Sequence, residues 1–193
     1  YTVVTLDPED ISTDNLKKYD AVVMGIRAYN VVKELKFKQK FLLDYVEKGG
    51  NMIVQYNTSR NVDVGAPFSL SLSRDRVTNE FAEVRVLDKN HSLLNFPNKI
   101  TKKDFEDWVQ ERGLYFPGTW SKEYTPILSM NDKNETAKNG SLLIAKYGKG
   151  NYIYTGLSFF RELPAGVSGA YKLFANMLSV GKDKIIIKKE IKK

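Results

Sequence analysis

The chain contains no cysteine and only one histidine, His91. Without a thiol there can be no disulfide, no zinc–thiolate centre and no cysteine nucleophile, and the absence fits any redox compartment. Long apolar runs are missing too: nothing matches the run of about 18 or more residues that a membrane-spanning helix needs. The first residues, YTVVTL, carry neither a charged leader nor a small-residue cleavage site. They read as the inside of a strand, as expected of a domain cut from a longer chain. There is no internal repeat, and no low-complexity segment outside the C-terminal tail.

What is present is the composition of an ordinary globular domain. The 193 residues are 42% hydrophobic and 27% charged, long enough for a single domain with a proper core. The net charge of +7 suggests nucleic acid until it is located. Residues 182–193 hold six lysines against Asp183 and Glu190, which puts +4 on the tail and leaves +3 for residues 1–181. Such a run is more often a solvated terminus than a nucleic-acid contact. The expected organisation is therefore one domain over residues 1–181, then a basic tail, with no nucleic-acid partner and no membrane span.

Periodicity supplies the elements. Residues 1–6 are rich in β-branched side chains and end at Asp7-Pro8, which predicts a strand. Ser12 or Thr13 can cap a short helix with Leu16 inward. Ala21, Val22, Val23 and Met24 form a continuous apolar run ending in Gly25, the pattern of a fully buried parallel strand. Phe37, Phe41, Leu42, Tyr45 and Val46 recur at helical spacing, Gly49-Gly50 stops that helix, and NMIVQY at 51–56 is the next buried strand. Strand, helix, strand at this spacing is a right-handed parallel βαβ unit.

Farther on, alternation over residues 68–72 and 82–87 predicts half-buried edge or antiparallel strands. Thr101 and Asp104 have capping-box spacing before a short helix bearing Phe105 and Trp108. Residues 125–130 and 141–147 read as hairpin strands, Gly148-Lys149-Gly150 turns tightly into a strand at 151–156, residues 157–167 form a loop, and Ala170, Leu173, Phe174, Met177 and Leu178 mark a final helix. The fold class is an open, mostly parallel α/β sheet with helices on both faces and antiparallel hairpins in the C-terminal half.

Open α/β sheets bind ligands beyond the carboxyl ends of their strands, which directs attention to two clusters. Arg27, Tyr29 and Asn30 follow the first buried strand. Gln55, Tyr56, Asn57 and Arg60 end its neighbour. Guanidinium, phenol and amide could together hold a carboxylate, phosphate or sugar; equally, the arginine could pair with an acid and the asparagine close a turn. Phe159, Phe160, Arg161 and Glu162 follow the last strand and could stack on a sugar or face a partner, with Tyr115, Phe116 and Trp120 extending that surface, unless one phenylalanine is core and the other covers the sheet end. Arg74, Asp75, Arg76 and Glu80 form an alternating charge cluster that is either a solvated face or a crevice rim. His91 could act with Asp104 and Glu111 as acid–base groups, and residues 104, 107 and 111 would share a helical face if the helix continued that far. Metal binding there lacks tight ligand spacing, so no metal is expected. The Gly-x-Gly at 148–150 lies between strands rather than before a helix, so it is no phosphate loop, and no cofactor is expected.

YDAVVMGIRAYN, YVEKGGNMIVQYN, HSLLNFPNKITKKDFEDWVQERGLYF and YGKGNYIYTGLSFFRELPAG together resemble the amidotransferase-like domain at the carboxyl end of bacterial PIG-L (LmbE-like) deacetylases, and the chain is similar as well to trehalose-utilisation (ThuA-like) proteins. The resemblance spans residues 1–179 and implies the class I glutamine amidotransferase-like fold, a flavodoxin-like open sheet. Such domains begin with one more strand and helix, so the first strand and helix of the fold are expected to be missing here. A working glutaminase of this class needs an activated cysteine, which the inventory excludes. The deacetylase metal motif is absent. The resemblance thus implies a non-catalytic accessory domain that binds a carbohydrate-type ligand or docks a partner deacetylase domain, the alternative being a carbohydrate-active hydrolase or isomerase using His91.

Overall fold

The computed structural model describes residues 1–59 and 62–182; Arg60 and the tail beyond Lys182 lie outside them. In chain order the elements are α1 (Thr13–Leu16), β1 (Val22–Met24), α2 (Ala28–Val31), α3 (Leu35–Glu47), β2 (Asn51–Gln55), β3 (Leu70–Val77), β4 (Arg85–Val86), β5 (Gly113–Trp120), β6 (Tyr124–Pro126), β7 (Leu128–Ser129), β8 (Leu142–Tyr147), β9 (Gly150–Thr155), α4 (Phe159–Glu162) and α5 (Ser168–Leu178). Five strands form the central sheet in the order β1-β2-β9-β8-β6. β1, β2 and β9 run parallel, with Val23 beside Ile53 and Ile53 beside Ile153. β8 and β6 add antiparallel strands. Two small antiparallel pairs, β3 with β5 and β4 with β7, stand apart from the sheet.

The period of two divides β2 between two cores. Met52 and Val54 face Leu42, Tyr45 and Val46 of α3, while Ile53 faces the layer of Leu173 and Met177 of α5. Fully burying each such side chain is worth roughly 1.5–3 kcal/mol, so α3 and α5 are fixed to opposite faces of one sheet. The turn at Gly148-Lys149-Gly150 is tight because its backbone runs against the end of α3: a Cβ on Gly150 would sit 2.1 Å from the Val46 carbonyl oxygen, and Gly148 has a φ of +57°. This is the open, mostly parallel α/β arrangement that the sequence pattern predicts, and it is flavodoxin-like, as the family resemblance implies.

Several expectations need correction. Residues 1–6 form no strand; only Leu6 leaves full exposure, because no neighbour takes up their backbone groups. β1 is an edge strand, not a fully buried one, and Val23 is 38% exposed. On α3 the buried stripe is Leu35, Leu42, Tyr45 and Val46, which leaves Phe37 off the stripe and 72% exposed. The capping box at Thr101 is real, with the Thr101 N–H donating to Asp104 Oδ2 at 2.7 Å. Its helix is a single 3-10 turn ending at Phe105, so Asp107 and Glu111 share no helical face with Asp104. Within the expected 157–167 loop lies α4. The sequence pattern does not announce β5, since Gly113, Pro117 and Gly118 interrupt it. Among the described residues, no helix is long and apolar enough to cross a membrane.

Candidate functional site

The loops after β1 and β2 are laced together beyond the carboxyl edge of the sheet. The Arg27 N–H donates to the Tyr56 carbonyl at 2.8 Å. Asn57, fully buried, accepts at Oδ1 from the Tyr29 N–H and donates from Nδ2 to the Gln55 carbonyl, each at 3.0 Å. Its own N–H donates to the Tyr154 hydroxyl. Asn30 and Thr58 exchange two bonds, of 2.8 and 3.3 Å. Every one of these bonds is local wiring, because backbone groups in tight loops must find partners when water is excluded.

That wiring holds an aromatic wall in which Tyr56 is buried, 8% exposed, while Tyr115 and Phe160 are half-buried. The Tyr56 ring stacks on Tyr115 at 6.1 Å and 11°, and meets Phe160 at 5.1 Å and 50°. The Arg161 guanidinium lies 4.9 Å from the Phe160 ring centre. Burial raises the Tyr56 phenol above its ordinary range, while the Arg27 and Arg161 charges oppose that shift and Glu111 adds to it. Both guanidinium groups are therefore felt at the ring. Behind the wall, buried Glu111 is clamped from two sides, accepting from Arg76 Nη2 at 2.7 Å and from Arg161 Nε at 3.0 Å. Gln110 Oε1 accepts from Arg161 Nη1.

Backbone strain concentrates here. Among the described residues, four non-glycine positions have positive φ, and Arg27 (57°), Gln110 (67°) and Tyr115 (51°) all belong to this cluster. A left-handed conformation in an L-residue costs about 1 kcal/mol or more, and such strain gathers where side chains must be aimed.

The structure divides the sequence-derived candidates. Arg27, Phe160 and Arg161 come together around Tyr56, and Arg27 makes no ion pair with any described carboxylate. Gln55 is half-buried on β2. Tyr29 turns inward, its hydroxyl donating to Gln39 Oε1 at 3.0 Å, and burial together with Asp63 pushes the phenol well up. Asn30 and Asn57 serve the loops. Glu162 is fully buried, accepting from the Val109 N–H at 3.0 Å with its other oxygen 3.1 Å from Ser158 Oγ; burial pushes its carboxyl up. Arg60 lies outside the described residues.

His91, Asp104 and Glu111 do not converge. His91 Nδ1 accepts from the Leu93 N–H at 3.1 Å and caps a 3-10 turn. That turn is held by Asn176 of α5, and the neighbouring Met177 carbonyl accepts from Asn51, the first residue of β2, at 2.6 Å. His91 thus belongs to the amino end of the sheet, opposite Arg27. Burial lowers its pKa, against a smaller raising by Asp88. Asp104 binds Lys172 at 2.7 Å and Thr101 at 2.9 Å; burial raises its carboxyl, but those partners hold it below the ordinary range. Among the described residues, no group of three or more His, Cys, Asp or Glu is placed to hold a metal ion.

Sequence reasoning missed Gln110 and the meeting of Arg76 with Glu111. The second follows from the β3–β5 pairing, which sets Arg76 opposite Leu114, three residues beyond Glu111. Recognising β5 would have found it.

No family model matches the chain, and no curated protein matches it in sequence. Solved structures do match. A cytoplasmic protein from Salmonella typhimurium aligns with 88% of this chain and 74% of its own, at a TM-score of 0.58 and 12% identity. A protein described as ThuA-like, from Bacteroides uniformis, aligns with 92% of this chain and 76% of its own, at 0.55 and 16%. A protein from Thermoplasma acidophilum, described as belonging to GMP synthase, aligns with 93% and 81%, at 0.55 and 14%. The chain therefore has the fold of ThuA-like and glutamine amidotransferase-like domains.

Proposed function

We propose that this domain is a non-catalytic binding module whose site is a crevice at the half-buried Tyr115 and Phe160, with the buried Tyr56 behind them, and that it takes a carbohydrate-type ligand. The observation that carries the reading is the aromatic wall itself, held in place by strained backbone and flanked by Arg27, which has no ion pair among the described residues. Flat aromatic faces stack on the apolar face of a sugar ring, and a guanidinium supplies planar hydrogen-bond donors for its hydroxyl or acidic groups. Catalysis draws little support. The chain has no cysteine, Glu111 is neutralised by two arginines, and His91 caps a turn at the far end of the sheet. The test is a panel of amino sugars, uronic acids and glycans, read as a rise in melting temperature through mass action and repeated with Tyr56→Ala and Arg27→Ala. A ligand that stabilises the parent and both variants equally, or no stabilising ligand at all, refutes the assignment.

A second reading has its own observation. The outer edge of β1 has no strand beside it among the described residues, and Val23 and Ile26 are more than a third exposed there. An open apolar edge is a template for strand addition, which favours docking of a partner such as a deacetylase domain, or of the further N-terminal strand that the family resemblance implies. Val23→Lys should abolish such docking in a pull-down with the partner domain; unchanged capture by the lysine variant would remove this reading.

A further inference from the structure

Arg112 is the one cation in the buried class among the described residues, with 5% of its surface exposed. Its Nε donates to the Ala82 carbonyl at 3.0 Å and Nη1 to the Phe105 carbonyl. Its guanidinium carbon lies 6.0 Å from the Trp108 ring centre. It makes no ion pair with any described carboxylate, and Nη2 has no hydrogen-bond partner among the described residues. Burial lowers it to about 10, with Glu162 and Glu80 opposing from longer range, so it remains charged at neutral pH. A buried cation without a counter-ion is costly, and the carbonyls that accept from Arg112 offset part of that cost while an anion on its remaining donors would offset more.

Arg112 is also among the residues lining a surface groove of about 350 Å³, within the size range of small-molecule sites. Phe81, Val84 and Phe105 make its apolar walls, and Lys102, Glu83 and Glu106 are its other charged residues. Phe81 is 75% exposed, a large apolar side chain left at the groove with nothing over it. Glu83 is already met by Lys102 at 3.5 Å and Arg85 at 3.7 Å, which leaves Arg112 as the groove's cation without an ion pair and Glu106 as its carboxylate without one, among the described residues.

We propose that this groove binds a small monocarboxylate carried on an apolar body, with the carboxylate on the spare donors of Arg112 and the apolar body against Phe81 and Phe105. A single negative charge fits better than a phosphate dianion, because Glu83 and Glu106 also border the groove and would repel the second charge. The site shares no lining residue with the Tyr56 crevice and stands independently of the function proposed for it.

The experiment is a ¹⁵N-resolved NMR titration of the full chain with phenylacetate, its neutral isostere phenylacetamide, and inorganic phosphate. Phenylacetate should shift the amides of residues 81–84 and 102–106 saturably and bind at least about tenfold tighter than the amide, since charge-assisted hydrogen bonds contribute enough for that discrimination. Phe81→Ala and Lys102→Glu change exposed side chains, so both variants should fold, and each should weaken phenylacetate severalfold. Equal binding of acid and amide would reduce the site to an apolar patch, and tighter binding of phosphate would make it a general anion site. Shifts elsewhere, or none at millimolar ligand, would mean that the carbonyls of Ala82 and Phe105 are all that Arg112 serves. Each of these three outcomes overturns the proposal.

Discussion

Replacing Asn57 tests whether the crevice is held by wiring rather than by packing. In Asn57→Ala the Tyr29 N–H and the Gln55 carbonyl both lose their side-chain partner, each at 3.0 Å in the parent. An orphaned buried polar group costs about 1–3 kcal/mol. Tyr29 is only half-buried and water can reach its loop, so the expected loss is about 2–4 kcal/mol, a large share of the roughly 5–15 kcal/mol that stabilises a typical domain. Asn57→Asp keeps the acceptor for Tyr29 but sets a second oxygen against the Gln55 carbonyl, where the amide had donated. Protonation restores a donor there, so the folded state should hold this carboxyl above the value of about 3.9 expected in the unfolded chain. The sign follows by linkage: relative to the parent, Asn57→Asp is most stable below that unfolded value and loses stability as pH rises through the folded one. Asn57→Ala should show no such slope. Urea unfolding followed by the fluorescence of Trp108 and Trp120, in parallel on all three proteins at about pH 4 and pH 7, reads both effects. An alanine variant within about 0.5 kcal/mol of the parent, or an aspartate variant with no pH slope of its own, refutes the reasoning.

Arg27→Gly relieves a φ of 57° at the expense of a more flexible unfolded chain, so its stability should stay within about 1 kcal/mol of the parent while affinity for the crevice ligand falls; Arg27→Val, β-branched in the left-handed region, should lose more than about 1 kcal/mol. Ser158 Oγ can give its single proton to the Glu111 carbonyl, in which case the contact with Glu162 needs a proton from Glu162, in line with the upward push that burial gives that carboxyl. The contribution of Glu162 to stability is then full below its unfolded pKa and lost as pH rises through the raised folded one. Glu162→Gln should unfold within about 1 kcal/mol of the parent at pH 7 and flatten that part of the pH profile, whereas Glu162→Ala, which orphans the Val109 N–H, should lose about 2 kcal/mol or more. Gly169→Ala places a Cβ 1.8 Å from the Asp104 carbonyl oxygen, and because that neighbour is backbone, a melt followed by circular dichroism should reveal a loss of about 3 kcal/mol or more.

The βαβ unit was legible because local pattern and tertiary burial agree there. The buried stripe of α3, the double glycine and the run NMIVQY each determine their own conformation. β5 was illegible for the opposite reason. It carries Gly113, Pro117 and Gly118, and its pairing with β3 absorbs them through register shifts near Leu72 and Asp75, which only the partner strand can supply. The crevice divides the same way. The meeting of the loops after β1 and β2 followed from the strand ends, but the direction of each polar side chain did not. Asn57 and Glu162 look no different in sequence from solvent-facing polar residues, and it is the exclusion of water by residues distant in the chain that turns them into internal partners.

Backbone strain marks some residues of this cluster and not others. Arg76, Glu111 and Arg161 meet across separations of 35 and 50 residues, a convergence no local pattern announces. Around that ion cluster, Arg27, Gln110 and Tyr115 hold a backbone conformation that glycine adopts at least cost. Asn57, Asn30 and Glu162, which do the wiring, carry no such strain. A side chain kept where glycine would be cheaper must return something to the molecule. For Gln110 the return is the bond to Arg161, and for Tyr115 it is the stack on Tyr56. For Arg27, exposed and without an ion pair among the described residues, the backbone returns a bond of 2.8 Å to the Tyr56 carbonyl, and the proposed function adds the contact of its side chain with a ligand.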